Sequence, residues 1–503
     1  MAAIGIDYGT TYSGVSVFSN GVYNNIRMIN GEETIPSIVA YADREEPYFG
    51  VETEVYQIND PKNVLFDVKR FIGLDPDHPI ITSRSNYWPF TILNTNGSIK
   101  LEVEHCGVTK QYSPEEVAGM FLKYLKEQAS RHLSTTITMA VVTVPTIFDS
   151  ERRAALRRAC KYAGLPDVRL LNEPTAAIWS DPSNVATNGQ RFLVYDFGGG
   201  TLDVSIHELN NGHFRTIGVD GEEHLGGRDL DNLICSHVRR HFETANKCSV
   251  EDDIKVLGRL RQYCEKAKRR LSSEVETSIV IPNLYNDITL RMTVSQAWFN
   301  RQADPLFQKT LDVVQRVLDS SDLTVDQIDK VLLVGGSSRI PRVMELLKNM
   351  FTEEKVSRVL NPDLAVMQGA ARFAAEFASH QSNKFNPFIL SDVHPFAIGI
   401  EDAEGKMQRI VQRNAPIPLS VIRYATTSRD NQSEVVIKVY EGNSDQVAMN
   451  RFLGELRVSE IPNAPAGVPK ILVTLEISQE SIIKAKANLD QNGSTVHELV
   501  IHK

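Results

Sequence analysis

The sequence predicts an α/β protein in which two similar lobes face each other across a cleft, followed by a smaller domain made only of strands. Three features predict this fold: a hairpin pattern that occurs twice, strands and helices that alternate as far as residue 379, and short strands alone from residue 393. Alternation of strands and helices is typical of α/β domains. Short strands with turn residues between them are typical of a β-sandwich.

The hairpin pattern occupies residues 3–16 and again residues 192–206. Each copy has an apolar strand, a turn with an acidic residue, glycine and threonine, and a second strand. The acidic residue is Asp7 in the first copy and Asp196 in the second. A duplicated unit predicts two related lobes, although two unrelated glycine turns would give the same pattern.

Three segments outside the hairpins have apolar residues at helical spacing: 113–129, 149–163 and 254–271. The first begins Ser-Pro-Glu-Glu, which puts a capping residue, a proline and two acidic residues where a helix N-terminus favours them. We therefore predict helices over these segments and an α/β domain over residues 1–379.

The helical periodicity ends in a polar stretch, and we predict that residues 380–392 form a linker. Residues 393–503 contain short alternating strands separated by turn residues such as Asp430-Asn431 and Asn492-Gly493. A compact β-sandwich without a long helix is predicted for this part of the chain.

Charge and composition exclude several classes of protein. The 503 residues carry a formal net charge of −9, which argues against a protein that mainly neutralises nucleic-acid phosphates or an anionic membrane. The five cysteines include no CxxC pair, so neither a disulfide framework nor a zinc site is predicted. No apolar run approaches the ~20 residues of a membrane span, and the first residues lack a leader pattern. We expect a cytosolic protein with no nucleic-acid or membrane partner.

Glycine turns provide candidate phosphate sites. Residues 198–201 are Gly-Gly-Gly-Thr, and residues 331–341 run from an apolar strand through Gly335-Gly336-Ser337 into a helix. Successive backbone N–H groups in such turns and at helix N-termini bind anions. Glycine turns also occur in purely structural loops, and neither GxxxxGK[ST] nor a GxGxxG after a strand is present.

One polar helix face is a candidate site for a ribose and a base. Glu265, Lys268, Arg269 and Ser272 lie at helical spacing on this face, opposite an apolar stripe. A solvated face with exposed ion pairs would give the same spacing.

Several ordered motifs closely resemble the signatures of the seventy-kilodalton heat-shock chaperones. Four of them are long: GIDYGTTYS at 5–13, NEPTAA at 172–177, YDFGGGTLDVS at 195–205 and VGGSSRIP at 334–341. Shorter matches are DVKR at 67–70, NPD at 361–363, DNQ at 430–432 and GVP at 467–469. The resemblance therefore spans almost the whole chain.

The resemblance implies an actin-like ATPase with duplicated, ribonuclease H-like lobes, followed by a β-sandwich peptide-binding domain. The implied activity is magnesium-dependent ATP hydrolysis coupled to binding of exposed apolar peptides, in protein folding and the stress response. The implied cofactors are ATP or ADP, Mg²⁺ and, in addition, K⁺. The implied partners are a J-domain co-chaperone, a nucleotide exchange factor, and unfolded or nascent polypeptides.

Site residues follow from the resemblance position by position. Lys69 resembles the lysine that orients the attacking water, and Glu173 its acidic partner. Asp7 and Asp196 resemble the carboxylates that hold magnesium through water, with Thr201 and Asp203 beside the γ-phosphate and nucleophile. The implied nucleotide contacts are Gly9, Thr10, Thr11, Tyr12, Gly198, Gly199, Gly200, Glu265, Lys268, Arg269, Ser272, Gly335, Gly336, Ser337, Arg339 and Asp363.

The resemblance also implies residues for communication and for peptide binding. Pro145 and Arg153 resemble a switch that reports the nucleotide state, while Arg169 and Asp392 resemble positions that receive a J-domain partner. The implied peptide cleft consists of Ile400, Ala403, Ala425, Val435 and Ile437. At Ala425 the family usually has a large aromatic residue, so we expect a larger or flatter pocket.

Two departures from the family pattern favour an alternative function. The linker has Pro387 and Ser391 in place of an uninterrupted leucine run, from which we expect weak docking and weak coupling between the nucleotide and peptide sites. The chain stops at Lys503, so we expect a short form without the helical lid. The alternative is a non-cycling subunit that binds ATP and scaffolds a J-domain protein, at the ribosome. A sugar or acetate kinase is disfavoured because it leaves the β-domain unexplained.

Overall fold

A computed structural model describes residues 2–83, 88–165, 167–181, 187–358, 361–380, 389–489 and 497–501. The helices in these ranges are α1 Glu54–Asn59, α2 Pro79–Ser83, α3 Pro114–Leu133, α4 Ser150–Tyr162, α5 Glu173–Ser180, α6 Gly227–Asn246, α7 Ile254–Arg270, α8 Gln296–Ser320, α9 Pro341–Phe351 and α10 Ala365–His380. Short 3₁₀ helices span Gly50–Thr53, Pro61–Asn63, Val68–Arg70, Val325–Gln327, Gly336–Arg339 and Val447–Met449. No helix in the described ranges is both long and apolar enough to cross a bilayer.

The strands of the first part of the chain are β1 Ala2–Tyr8, β2 Tyr12–Ser19, β3 Val22–Asn25, β4 Thr34–Pro36, β5 Ile38–Ala40, β6 Tyr48–Phe49, β7 Val64–Phe66, β8 Thr91–Thr95, β9 Ser98–His105, β10 Val108–Tyr112, β11 Ile137–Val144, β12 Asp167–Asn172, β13 Arg191–Phe197, β14 Leu202–Asn210, β15 His213–Glu222, β16 Glu276–Tyr285, β17 Ile288–Ser295, β18 Lys330–Val334 and β19 Val356–Arg358. The remaining strands are β20 Ile389–His394, β21 Ile398–Glu401, β22 Met407–Val411, β23 Ala415–Ile417, β24 Leu419–Ala425, β25 Val435–Glu441, β26 Arg451–Val458, β27 Ile471–Ile477, β28 Ile483–Leu489 and β29 His497–Ile501.

The two lobes have the same sheet topology. The first lobe has the strand order β12-β11-β1-β2-β3, and the second lobe contains β19-β18-β13-β14-β15. In each lobe, three strands form an antiparallel meander. A fourth strand pairs in parallel with the first strand of the meander, and a fifth strand pairs in parallel with the fourth. The predicted duplication and both predicted hairpins are therefore confirmed.

Two helices pack against each other between the lobes. On α10, Gly369 lies so close to α5 that a Cβ atom there would come within 1.6 Å of the Ala176 carbonyl oxygen. Only glycine permits this approach, because any other residue would force the helices apart. Residues from the hairpin turns of both lobes line one cleft.

The three predicted helices are confirmed, and each begins with a side-chain cap. Ser113 and Glu116 form a reciprocal capping box at α3, while Asp149 caps α4 and Asp253 caps α7. Polar caps satisfy backbone N–H groups that a helix leaves without partners. The observed helices end at Leu133, Tyr162 and Arg270.

The C-terminal part of the chain is a sandwich of two four-stranded sheets, as predicted. Their strand orders are β22-β21-β25-β26 and β24-β27-β28-β29. Alternate residues of β27 (Ile471, Val473, Leu475 and Ile477) are buried in the core between them. Within the described residues of this domain, the helical structure is limited to the 3₁₀ turn Val447–Met449.

The expected weak docking of the linker is wrong for its described residues. Strand β20 extends the sheet of the second lobe, with Ile389, Leu390 and Ser391 paired in parallel with His213, Phe214 and Arg215 of β15. A strand docks through main-chain hydrogen bonds, so the loss of a leucine side chain at Ser391 does not prevent it. Residues 381–388, with Pro387, lie outside the described residues, and the predicted domain boundaries remain predictions.

The β-sandwich also contacts the lobes through polar side chains. The carboxylate of Glu441 accepts hydrogen bonds from the backbone N–H and hydroxyl of Ser150 at the start of α4. Arg451 pairs with Asp149 at 3.0 Å, and Arg413 pairs with Asp220 at 2.9 Å. These contacts join the sandwich to both lobes.

Candidate functional site

A cleft of about 570 Å³ lies between the two lobes. Of the nucleotide-site residues predicted from the sequence, all but Asp203 line it: Asp7, Gly9, Thr10, Thr11, Tyr12, Lys69, Glu173, Asp196, Gly198, Gly199, Gly200, Thr201, Glu265, Lys268, Arg269, Ser272, Gly335, Gly336, Ser337, Arg339 and Asp363. Asp203 is buried beneath the cleft, where it is paired with Asp196 across the hairpin of β13 and β14.

Three carboxylates cluster at the floor of the cleft or just beneath it: Asp7, Asp196 and Asp203. Burial, followed by the charge of Glu173, raises the pKa of Asp7 to about 7 and the pKa of Asp203 to about 7. Burial also raises the pKa of Asp196 well above its usual value, with Glu173 as the next cause. The positive charge of Lys69 lowers all three pKa values. Such a cluster favours a bound cation, because added positive charge would stabilise the ionised forms.

Lys69 is held in this cluster by a buried ion pair. Its side chain is 3% exposed, and its Nζ atom lies 2.5 Å from Oε1 of Glu173. The lysine sits in the 3₁₀ turn Val68–Arg70, which follows Asp67 in a left-handed conformation with φ 57°. The pair therefore joins this turn to Glu173, the first residue of α5.

This turn is positioned by two buried arginines that were not predicted from the sequence as site residues. Arg70 donates to the carbonyl oxygen of Gly200 at 3.2 Å and pairs with Asp229. Arg152 on α4 donates to the carbonyl oxygen of Lys69 at 3.0 Å. Arg70 could have been predicted as a site residue because it is next to Lys69 in the sequence. The sequence around Arg152 does not distinguish it from a solvated arginine on α4.

The two hairpin turns face each other across the cleft. A Cβ atom at Gly199 would lie 2.2 Å from Oγ1 of Thr11, and one at Gly200 would lie 2.6 Å from Cγ2 of Thr10. A larger residue at either glycine would therefore force the facing threonine to shift. The glycines let the backbone amides and threonines of both lobes line the same space, which suits an anion.

A hydrogen bond joins the third glycine turn, at Gly335-Gly336-Ser337, to the second, at Gly198. Gly335 adopts φ 78°, and the hydroxyl of Ser337 donates to the carbonyl oxygen of Gly198 at 2.8 Å. Arg339 pairs with Asp363 at 2.6 Å on the rim of the cleft. The turn leads into α9, whose N-terminus begins at Pro341.

The polar face of α7 borders the cleft. Lys268 is only 13% exposed and pairs with Asp231 of α6 at 2.8 Å. Arg269 is 57% exposed, pairs with Glu265 at 2.7 Å, and has its guanidinium 4.8 Å from the ring centroid of Tyr12. This face is therefore part of the cleft wall. The contribution of α6 was not predicted from the sequence, although Gly226-Gly227 before a helix was an available signal.

The donor set fits a magnesium ion held through water. Within the described residues, no three His, Cys, Asp or Glu side chains are grouped as direct metal ligands. Asp7 and Asp196 both line the cleft beside its glycine turns. Carboxylates at such a site suit a cation that keeps most of its water and binds phosphate oxygens.

A chain of hydrogen bonds leads from the cleft to the linker. Oδ1 of Asp203 accepts from the backbone N–H of Thr146, and Arg153 donates to the carbonyl oxygen of Thr146 at 3.0 Å. Arg153 also donates to Oδ1 of Asn172 at 2.7 Å, and Asn172 donates to Asp392 at 2.7 Å. Of the two predicted switch residues, Arg153 lies on this connection and Pro145 directly precedes Thr146. Their role as a switch remains a prediction. Arg169, predicted as a J-domain position, pairs with Glu480.

The residues predicted for peptide binding do not all share one environment. Ile400, Ala425 and Val435 are partly buried against the sandwich core. Ile437 belongs to that core and is 5% exposed. Ala403 lies on an exposed turn after β21. Their role in peptide binding remains a prediction.

Comparison with known proteins gives consistent matches over nearly the whole chain. The family model described as Hsp70 protein matches residues 3–503. The Heat shock 70 kDa protein of Neurospora crassa is 38% identical over 495 residues, which cover 98% of this chain and 76% of that protein. Heat shock cognate 70 kDa protein 3 of Dictyostelium discoideum is 36% identical over 506 residues, which cover 100% of this chain and 80% of that protein. These matches do not support the alternative of a ribosome-linked partner subunit.

Proposed function

Since the chain belongs to the Hsp70 family, we propose that it is a magnesium-dependent ATPase that binds exposed apolar segments of unfolded or nascent polypeptides. The observation that carries this proposal is the convergence of glycine turns from two lobes on a cleft with a buried Lys69–Glu173 pair at its floor. Phosphoryl transfer requires positioning and charge compensation more than covalent chemistry, and this arrangement suits both.

In this proposal, Lys69 and Glu173 orient the attacking water at the γ-phosphate. Asp7 and Asp196 hold Mg²⁺ through water, and Thr201 and Asp203 lie beside the reacting phosphate. When bound, Mg²⁺ neutralises charge on the phosphate oxygens. The buried Lys69–Glu173 pair supports these roles, because a charged side chain fixed before substrate binds needs no reorganisation during the reaction.

In this proposal, residues of both lobes bind the nucleotide. The turns at Thr10 and Gly199 would hold the phosphates, because their amides and hydroxyl groups face the same space. Arg269 and its neighbours on α7, together with Arg339, would hold the adenosine. A K⁺ ion beside the phosphates also belongs to the proposal.

Peptide binding belongs to the β-sandwich, around Ile400, Ala425 and Val435. Weak coupling was expected from the side chains of the linker, but β20 docks on β15. We therefore propose instead that the nucleotide state reaches this domain through Arg153 and Asp392, which lie on the hydrogen-bonded connection from the cleft to β20. A J-domain co-chaperone and a nucleotide exchange factor are the proposed partners, and the cytosol is the proposed location.

Single-turnover ATP hydrolysis by the full chain, with and without a J-domain protein, tests the proposal. We expect slow hydrolysis that depends on Mg²⁺ and accelerates when the J-domain protein and an apolar peptide are added. Tight ATP binding without hydrolysis under all of these conditions would refute the enzymatic function and favour a structural role for the nucleotide.

A further inference from the structure

A row of side chains crosses the sheet of the second lobe and ends at the linker strand β20. In this row, His207 of β14 is paired in register with Thr216 of β15. Strands β15 and β20 run in parallel, with Arg215 opposite Ser391. The residues that follow these two are Thr216 and Asp392. Because residues opposite each other on neighbouring strands project from the same face of a sheet, His207, Thr216 and Asp392 form one continuous row.

The middle of this row is polar although it is buried. His207 is 0% exposed and Thr216 is 2% exposed. The imidazole of His207 stacks on the ring of Phe192 at a centroid distance of 5.5 Å. Burial lowers the pKa of His207 to about 3, so the imidazole is neutral at physiological pH. A neutral imidazole has one N–H donor and one acceptor nitrogen, and each needs a partner of the matching kind.

Each ring nitrogen of His207 has a hydroxyl partner. Nε2 lies 2.7 Å from Oγ of Ser205, and Nδ1 lies 3.2 Å from Oγ1 of Thr216. Two arrangements of the protons satisfy these contacts. In the first, Ser205 donates to Nε2, Nδ1 donates to Thr216, and the threonine hydroxyl can donate to a third group. In the second, Thr216 donates to Nδ1, and its proton is not available to any other group.

The carboxylate of Asp392 distinguishes the two arrangements. Its hydrogen-bond donors include the backbone N–H of Val393 at 2.8 Å and the side chains of Asn172 at 2.7 Å and Thr175 at 3.3 Å. Burial raises the pKa of Asp392, and the hydrogen bonds of Val393 and Thr216 are among the contacts that lower it. An ionised carboxylate only accepts hydrogen bonds, so Thr216 donates to it and the proton of the His207 ring lies on Nδ1.

We propose that His207 is a positioning residue for the linker: it holds the hydroxyl of Thr216 as a donor to Asp392 and thereby stabilises the docked strand β20. Asp392 then has side-chain donors from β12, from α5 and from the sheet of the second lobe. The docking itself is independent of the proposed ATPase function, whereas any effect on the coupling between nucleotide and peptide rests on that function.

A purely structural histidine would also be satisfied by two hydroxyl groups, and two substitutions separate the roles. Leucine keeps an apolar side chain in the core but has no donor. Asparagine is smaller, but its amide N–H can occupy the place of Nδ1–H. Both substitutions remove the contact with Ser205, so the difference between them reports the donor to Thr216.

The leucine substitution is combined with Thr216→Val. Replacement of both hydrogen-bond partners leaves no unsatisfied donor between them, so the loss of stability is smaller than for one partner alone. Thermal unfolding shows whether each variant is folded. His241→Leu, at an exposed position on α6, is the matched control.

Hydrogen exchange of the full chain, with and without ATP, measures the docking of β20. Mass spectrometry follows a fragment that contains Leu390 and Ser391, whose protection in the parent is expected in at least one of the two conditions. There, exchange should be at least about tenfold faster in His207→Leu/Thr216→Val, which corresponds to ~1.4 kcal/mol. His207→Asn should stay within about threefold of the parent, and the control should exchange like the parent.

The tautomer of His207 provides a second, independent measurement. NMR of protein labelled with nitrogen-15 at histidine distinguishes Nδ1–H from Nε2–H in a neutral ring, and His207→Asn identifies the signal by its loss. We expect the Nδ1–H form in the parent at neutral pH. This measurement decides the direction of the hydrogen bonds even if the double variant does not fold.

Four results would overturn the proposal. They are an unprotected β20 in the parent under both conditions, equal exchange in the parent and a folded double variant, exchange in His207→Asn as fast as in the double variant, and an Nε2–H tautomer. Failure of the parent to bind ATP would refute the proposed function instead. Exchange without ATP and the tautomer would still decide the role of His207.

Discussion

Replacement of Lys69 by methionine tests the proposed chemistry most directly. Methionine retains most of the side-chain length, but it removes the cation that lies 2.5 Å from Glu173. Loss of a preorganised charged group at a reacting centre typically costs 10²- to 10³-fold in rate, or about 2.7–4 kcal/mol. We therefore expect single-turnover hydrolysis to slow by about 10²- to 10³-fold.

The same substitution should affect nucleotide affinity much less. Lys69 lowers the pKa values of Asp7, Asp196 and Asp203, so its removal raises them and makes protonation easier at neutral pH. Protonation reduces the repulsion that the missing cation would otherwise leave among the carboxylates. We expect ATP affinity to stay within about tenfold of the parent, since the lysine acts on the reacting geometry more than on ground-state binding.

The assay mixes a small amount of ATP with excess protein and follows phosphate release over a single turnover. Lys62→Met is the matched control, because Lys62 is exposed on the neighbouring 3₁₀ helix Pro61–Asn63. Thermal unfolding of each variant shows whether it is folded. A Lys69→Met rate within about threefold of the parent would remove this lysine from the proposed mechanism.

Four further substitutions test other parts of the proposal. Burial raises the pKa of Asp7 from 3.8 to about 7, so the contribution of Asp7 to stability falls as pH rises through that window. Asp7→Asn should therefore gain stability relative to the parent between pH 4 and pH 7.5 without ligand, by up to about 4 kcal/mol, and an equal difference at both pH values would contradict this. Asp196→Asn should weaken Mg²⁺-dependent nucleotide binding, and magnesium titrations that superimpose on those of the parent would show that its carboxylate has no such role. Arg153→Ala removes the two hydrogen bonds that join Thr146 to Asn172 and should make the peptide affinities in ATP and ADP equal within about twofold; an unchanged ratio places the coupling elsewhere. Ala425→Phe should slow the release of a fluorescent apolar peptide at least about tenfold, since the added ring contributes on the order of 2 kcal/mol of contact, and equal release rates would argue against this pocket.

The sequence by itself determined the local elements and the kind of site. Both hairpins, the three capped helices and the glycine turns follow from short-range patterns, because strand alternation, side-chain caps and glycine conformations depend on neighbouring residues. The likeness of the motifs to one family then identified residues from both lobes as parts of one site. That inference needed no knowledge of how the lobes pack.

Only the tertiary structure decided which distant residues meet. The buried pairing of Arg70 with Asp229 and the contact of Ser150 with Glu441 join segments that no local pattern connects. The linker gives the sharpest contrast, because its side chains predicted weak docking while its backbone pairs with β15. Pairing with the edge of a sheet depends on main-chain N–H and C=O groups, which every residue other than proline provides in full. Whether a sheet has an unpaired edge strand is decided only when the sheet is folded.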